Sequence, residues 1–169
     1  IRFSKMSNLM FTYRGSNSQP SMENLLPITD NANPLNVQVG NPGLKPSFNH
    51  NMFANFFDYQ VESQRNIMAN AGFTLRQNAI TSIRTYNEET GGWTNTSDNI
   101  NGNWSANAGF GFNTALRNKK FNIGTNTNIS FNNNVGYLTV NKMTEKNTTT
   151  NWNLNENKTA SYRNNRFEI

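Results

Sequence analysis

The sequence predicts an all-β fold, an antiparallel up-and-down meander, and three observations carry that prediction. Apolar side chains alternate with Asn, Ser, Thr and Gly over long stretches. These stretches are separated by polar connections that are short and long in turn. Aromatic residues make up 12% of the 169 positions, which is more than a disordered polar chain carries, although the mean hydropathy is only -0.76.

The alternation is clearest in the second half of the chain. From 121 to 137 most odd positions hold apolar residues or Thr, whereas the even positions hold Asn, Ser and Gly. From 103 to 116 the pattern repeats, with Trp, Ala, Phe, Thr and Leu at the even positions. A helix of 3.6 residues per turn cannot keep two such faces separate, so period two over this length predicts strands.

In chain order, the predicted strands are roughly residues 1–15, 47–59, 66–86, 102–116, 121–138 and 150–162, and a seventh begins at Phe167. The short turns are expected near 60–66, 117–120 and 163–166. The long loops are expected at 16–47, 87–101 and 139–151, where Asn, Gly, Pro, Ser and Thr are frequent. Residues 1–169 are therefore expected to form one partial β-barrel segment, an internal piece of a larger protein.

Two environments can explain a sheet with one apolar and one polar face. In water, two such sheets pack as a sandwich, which would suit a secreted all-β binding or adhesion module. In a bilayer, the apolar face meets lipid and the polar face lines a lumen. The strands are long and their polar face carries few charges, so we favour the transmembrane barrel. A sandwich predicts that Phe110, Ile123 and Ile129 are buried, whereas a barrel leaves them on its outer surface.

Composition limits the chemistry that the chain can perform. Cys is absent and His50 is the only histidine, so a Ser-His-Asp triad, a thiolate cluster and a multi-histidine metal site are not expected. The net charge of +5 comes from basic residues that are scattered singly, which does not suit a nucleic-acid groove. We expect no enzyme, no cofactor, no metal and no nucleic-acid partner. An interface position is the favoured interpretation of His50.

Several short motifs follow one another in a characteristic order. They are Y-R-G-S-N-S-Q-P-S at 13–21, N-P-L-N at 33–36, G-N-P-G-L-K-P at 40–46, G-N-W at 102–104, F-G-F-N-T at 110–114 and N-K-K-F at 118–121. Together they resemble the barrel of TonB-dependent receptors, and more narrowly the outer-membrane barrel family of Bacteroidetes receptors. The residues that match the best-defined family motif are Gly40, Asn41, Pro42, Leu44, Lys45 and Pro46. Ser47 stands where that motif commonly has Glu.

The resemblance implies a 22-stranded barrel with a plug, in the outer membrane of a Gram-negative bacterium, that imports a nutrient. Neither the plug nor a TonB box is recognised in these residues. The implied partners are outer-membrane lipid, the plug and the remaining strands of the same receptor, and the TonB system acting through the plug. A surface substrate-binding lipoprotein is a further candidate partner.

Four residues are candidates for substrate contact. Trp93 and Tyr86 lie in or beside a predicted external loop, where they could touch a glycan or a chelate. Arg76 and Arg84 lie on the polar face, where they could line a ligand path or pair with plug carboxylates. The alternatives are that the aromatic residues belong to an interfacial girdle and that the arginines are simply solvated in the lumen.

Overall fold

The structure is a computed structural model that describes residues 1–30, 32–116, 120–140 and 143–162. Its elements are β1 (Arg2–Ser4), β2 (Ser7–Ser18), α1 (Met22–Leu25), β3 (Thr29–Asp30), β4 (Asn36–Val39), β5 (Ser47–Gln60), β6 (Arg65–Gln77), β7 (Ala79–Asn87), β8 (Gly92–Ile100), β9 (Asn103–Ala115), β10 (Phe121–Val140) and β11 (Met143–Tyr162). In this part of the chain no helix has the length and apolar character needed to cross a membrane.

The strands form two sheets. The larger one, here called the wall sheet, has the order β1-β2-β5-β6-β9-β10-β11, and every neighbouring pair in it is antiparallel. The smaller one, here called the outer sheet, has the order β3-β4-β8-β7, with β4 and β8 parallel. The predicted all-β antiparallel meander is confirmed. Within the described residues the wall sheet keeps two open edges, β1 and β11.

The register of the wall sheet separates an apolar from a polar face. Ala69, Phe110 and Thr127 lie opposite one another on one face, and Asn70, Gly109 and Asn128 occupy the adjacent row on the other. Phe110, Ile123 and Ile129 are 46%, 41% and 47% exposed, so no second layer of the described chain covers them. The sandwich interpretation predicted burial of these three residues, and the structure does not support it.

Two aromatic bands mark the limits of the apolar face. The lower band contains Phe121 and Tyr162, whose ring centroids are 4.6 Å apart. The upper band contains Phe73, Trp104 and Phe131, with centroid distances of 5.9 and 4.9 Å. Along β10 the two bands are ten residues apart, which corresponds to about 25 Å of height for a strand that rises 3.3 Å per residue at a tilt near 40°. This is the height of the apolar band of an outer-membrane barrel.

β10 and β11 continue past the upper band as a paired hairpin. The predicted strand boundaries and the long loop at 139–151 are wrong here, because β10 extends to Val140 and β11 already begins at Met143. On the outer face the extension carries mostly Asn, Thr and Lys, which suits water. The alternation continues to Tyr137 on β10, but residues 144–149 of β11 are all polar and carry no period-two signal.

The other predicted connections also contain regular structure. The predicted strand 66–86 is two strands, because Asn78 adopts a positive φ of 50° and divides β6 from β7. The predicted loop 87–101 contains β8, and the loop 16–47 contains α1, β3 and β4. Residues 61–64 form a turn within the predicted 60–66 connection. Most of the 117–120 turn, the 163–166 turn and the strand start at Phe167 lie outside the described residues.

One polar patch interrupts the apolar face. Thr125 and Thr127 on β10 lie opposite Lys158 and Glu156 on β11, and the Glu156 carboxylate accepts hydrogen bonds from both threonine hydroxyls. Between the two aromatic bands the described outer face also carries Asp58 and Arg65, which form an ion pair at 3.6 Å. A lysine on the lipid face costs ~2–4 kcal/mol at the bilayer midplane and far less near an interface. The predicted apolar face is therefore less uniform at the β11 edge than its spacing suggested.

Candidate substrate-contact surfaces

The long β6–β9 hairpin bends where it leaves the wall sheet. Asn78 on one strand has a φ of 50°, and Gly102 on the other has a φ of 117°. Below the bend, β6 pairs with β9, and above it β7 pairs with β8. Glycine adopts a positive φ without strain and Asn tolerates it better than most residues. The upper half of the hairpin thereby becomes one side of the outer sheet, with β7 at the edge and β8 paired with β4.

Asparagine side chains replace the backbone hydrogen bonds that the bend interrupts. The Asn78 N–H donates to Asn101 Oδ1 at 2.7 Å. Asn103 Nδ2 donates to the Val135 carbonyl and its Oδ1 accepts from the Val135 N–H, at 3.3 and 2.9 Å. Asn133 Nδ2 donates to the Gly102 carbonyl at 2.7 Å. Because an amide has both a donor and an acceptor, it can pair with a strand as another strand would.

Asn99 joins the bend to the G-N-P-G-L-K-P segment. Its Oδ1 accepts from the Lys45 N–H at 2.7 Å, and its Nδ2 donates to the Lys45 and Asn78 carbonyls, both at 2.9 Å. One side chain thus contacts the loop backbone twice and the bend once. Asn99 thus ties the lower end of β8, next to the buried Ile100, to both segments.

Replacing Asn99 with alanine is expected to loosen the outer sheet while the wall sheet stays folded. Three hydrogen bonds are lost, of which the one to the Asn78 carbonyl is part-buried, and a buried backbone group left without a partner costs about 1–3 kcal/mol. Hydrogen exchange measured on the full-length protein should show at least tenfold faster exchange of the Lys45 amide. Asn155→Ala is the matched control, since the side-chain amide of Asn155 faces the lumen and makes no hydrogen bond within the described residues. Unchanged exchange at Lys45 would contradict the role given to Asn99.

The motif that carried the family resemblance is an anchor for the outer sheet. The Asn41 N–H donates to the Asn24 carbonyl at 2.6 Å, and its Nδ2 donates to the Ser97 carbonyl at 3.0 Å. Leu44 is buried, and Gly40 packs directly on the backbone at the end of α1, at Leu26 and Glu23. Pro42 and Pro46 flank these contacts and restrict φ. The motif residues therefore hold the outer sheet in place through packing and hydrogen bonds, and we assign them no contact with a solute.

The structure brings together three of the four predicted contact residues. Tyr86 and Trp93 are directly opposite on β7 and β8, and their rings meet edge to face at 5.1 Å. The Arg84 guanidinium lies 4.4 Å from the centre of the Trp93 ring. Both aromatic residues are exposed. This aromatic cluster lies in the outer sheet, apart from the two aromatic bands of the wall sheet, which favours a surface position over an interfacial girdle for Trp93 and Tyr86.

Arg76, the fourth predicted residue, lies apart from the cluster on the lumen-facing side of β6. Its Nε donates to Asn49 Oδ1 at 2.8 Å, which orients the guanidinium. It lines a pocket of about 130 Å³. The other lining residues are Thr74, Asn103, Trp104, Ser105, Asn132 and Asn134. Sequence reasoning did not select these residues as a site, although all except Trp104 occupy the polar positions of the alternation and follow Arg76 across the register.

The outer sheet leans over this side of the wall. Thr81, near the start of β7, lies over the lumen-facing Gly136. The Thr81 hydroxyl oxygen is 3.9 Å from the position that a Cβ on Gly136 would occupy. The pocket at Arg76 is therefore beside the bend and below the outer sheet. The side chains that line the pocket can donate and accept hydrogen bonds, and one of them, Arg76, is positively charged. Among the described residues, no three His, Cys, Asp or Glu side chains come together as metal ligands.

These features define the wall of a transmembrane β-barrel, with an apolar outer face of bilayer height and a polar inner one. The sequence comparison agrees: the model of the outer membrane protein beta-barrel family matches residues 1–168, and the chain belongs to that family. It is a protein of the Gram-negative outer membrane. No curated protein and no solved structure matches the chain.

Proposed function

We propose that this chain is part of a TonB-dependent receptor that imports a nutrient across the outer membrane. It contributes barrel wall, lumen lining and external substrate-contacting structure, and it performs no bond chemistry. The ordered motifs at 13–21, 33–36 and 40–46 support the receptor class, of the kind found in Bacteroidetes. The observation that carries the proposal is the outer sheet, which is anchored by side-chain amides over the lumen-facing side of the wall.

In this proposal a solute meets two surfaces in turn. The aromatic cluster of Arg84, Tyr86 and Trp93 is exposed outside the membrane and receives it first. The pocket at Arg76 lies at the upper end of the lumen and holds it next. The remaining strands and a plug complete the receptor, and the TonB system supplies energy through the plug. A surface lipoprotein that delivers the solute is compatible with the outer sheet.

The proposal is tested by energised uptake. A strain that lacks the receptor gene and its complemented parent are compared for growth on glycans, peptides and metal chelates supplied as limiting nutrients. We expect a defect on one solute class, and we expect a protonophore to abolish uptake of that class by the complemented strain. Uptake that continues at the same rate with the protonophore would indicate a passive pore and would contradict the proposal.

Trp93→Ala in the full-length receptor is expected to weaken binding of the solute found in that screen by about tenfold, equivalent to ~1.4 kcal/mol. The substitution removes an aromatic face that Arg84 and Tyr86 hold in place. Binding is measured by titration calorimetry of the purified receptor. Trp152→Ala is the control, because this Trp is on the lipid-facing side of β11 and its loss should leave affinity unchanged. Equal affinities for Trp93→Ala and the parent would exclude the aromatic cluster from the binding surface.

A further inference from the structure

The lumen-facing side of the wall has an uncompensated positive charge at its upper end. From β2 to β10, the described lumen-facing positions carry two charged side chains, Arg14 and Arg76, and no Asp or Glu. The nearest lumen-facing carboxylate on β11 is Glu145, opposite Leu138 and well above the upper aromatic band. The ion pair that the described residues form, Arg65 with Asp58, lies on the other face.

The two arginines are close enough to act on one solute. Arg14 lies opposite Asn51, which lies opposite Thr74, and Arg76 is two residues further along β6. Strand spacing and rise place their Cα atoms about 12 Å apart. Each arginine side chain spans roughly half of that distance. Asn49 holds Arg76 through Nε alone, which leaves both terminal nitrogens of the guanidinium able to form a bidentate pair with a carboxylate.

The rest of the lining fits the same kind of solute. Thr74, Ser105, Asn132 and Asn134 surround Arg76 with hydroxyl and amide groups, which can bond to hydroxyl or amide groups of a hydrophilic molecule. A second pocket of about 440 Å³ adjoins the first through Arg76 and extends to the bend at Asn78 and Gly102. The two pockets offer room for more than a single small anion.

We propose that Arg76, with Arg14, binds a carboxylate of the imported solute, which is therefore an acidic hydrophilic molecule such as a uronic-acid oligosaccharide or an acidic peptide. This inference rests on the proposed import function and names the substrate class for the lumen surface. Both kinds of solute would be recognised through a carboxylate, and the test shows whether that carboxylate belongs to an oligosaccharide or to a peptide. It also distinguishes a solute carboxylate from a carboxylate of the plug.

The test uses the purified full-length receptor and an array of oligosaccharides and peptides, each present as the free acid and as its methyl ester or amide. We expect binding to acid members of one of the two sets and at least tenfold weaker binding to their neutral partners. Arg76→Gln should lower the affinity for acids about tenfold, and the double substitution Arg14→Gln/Arg76→Gln should lower it further. Arg76→Lys should retain part of the affinity that Arg76→Gln loses. Arg65→Gln is the control, because it removes an arginine from the outer face.

Three results would overturn the inference: equal binding of acid and neutral members, no binding of any acid, or acid binding that survives the double substitution. If the double substitution instead alters the plug, limited proteolysis of the receptor without solute would show it, and a plug partner would replace the solute. Heat-modifiable migration on gels verifies that each variant is folded. Energised uptake of a neutral solute would support the import function and refute only the inference that the solute is acidic. Acid binding without energised uptake would support the inference about the carboxylate and refute the import function.

Discussion

Replacing Phe110 with arginine is expected to lower the free energy of unfolding of the barrel in a bilayer by ~2–4 kcal/mol. Phe110 is exposed on the outer face and lies opposite Thr127, about midway between the two aromatic bands. A guanidinium at that depth has no water, and the carboxylate in the same row, Glu156, is two strands away and already accepts hydrogen bonds from Thr125 and Thr127. The measurement is a urea titration of the full-length barrel protein folded into lipid vesicles, followed by tryptophan fluorescence and heat-modifiable migration.

The matched control for this prediction is Asn157→Arg. Asn157 lies opposite Asn126 at a similar depth, on the face that lines the lumen. The same added charge is solvated there, so a change within about 0.5 kcal/mol is expected. If both variants lose the same stability, or if Phe110→Arg loses none, then the assignment of the two faces to lipid and lumen is wrong.

Gly40→Ala is expected to have the largest effect outside the membrane, because the added Cβ meets backbone that cannot move aside. The new atom would overlap the Leu26 carbonyl oxygen and would lie 2.9 Å from the Leu26 carbonyl carbon and 3.1 Å from the Glu23 carbonyl oxygen. Overpacking of this kind costs about 1–3 kcal/mol, and more where backbone must shift. We expect residues 22–46 to exchange hydrogen at least tenfold faster and to become sensitive to protease in whole cells.

Gly136→Ala is the control for this substitution. Its added Cβ would find no atom closer than the Thr81 hydroxyl at 3.9 Å, which is ordinary contact distance. Both variants should migrate as folded barrels, since neither glycine lies between the aromatic bands of the wall. Exchange rates for 22–46 that match those of the parent would show that the contact of Gly40 with α1 does not hold the outer sheet together.

The wall could be predicted from sequence because lipid imposes a pattern on it. Phe110 and Ile129 must be apolar while Gly109 and Asn128 must not, and period two follows directly. The outer sheet imposes no such pattern. Trp93 on β8 and Val37 on β4 belong to strands held mainly by backbone pairing in water, so the residues that form them resemble a loop. The first part of β11, residues 143–149, was predicted as a loop for the same reason.

The candidate site was predictable in its parts and not in its arrangement. Trp93, Tyr86, Arg84 and Arg76 were all selected from sequence, but only the bend at Asn78 and Gly102 separates Arg76 from the other three. A positive φ at one Asn among the 35 in this chain has no signature of its own. Residues such as Asn132 and Ser105 become part of a pocket through register, which depends on partners that are far away in sequence.

The asparagine-supported bend also has an evolutionary consequence. Since Asn99, Asn101, Asn103 and Asn133 complete the hydrogen bonding at the bend, β7 and β8 are joined to the membrane-crossing strands without sharing their strand pairing. Residues can be inserted into, deleted from or replaced in β7 and β8 without changing how the strands that cross the lipid pair with one another. A lineage of such proteins could therefore diversify what it captures while inheriting the same scaffold intact.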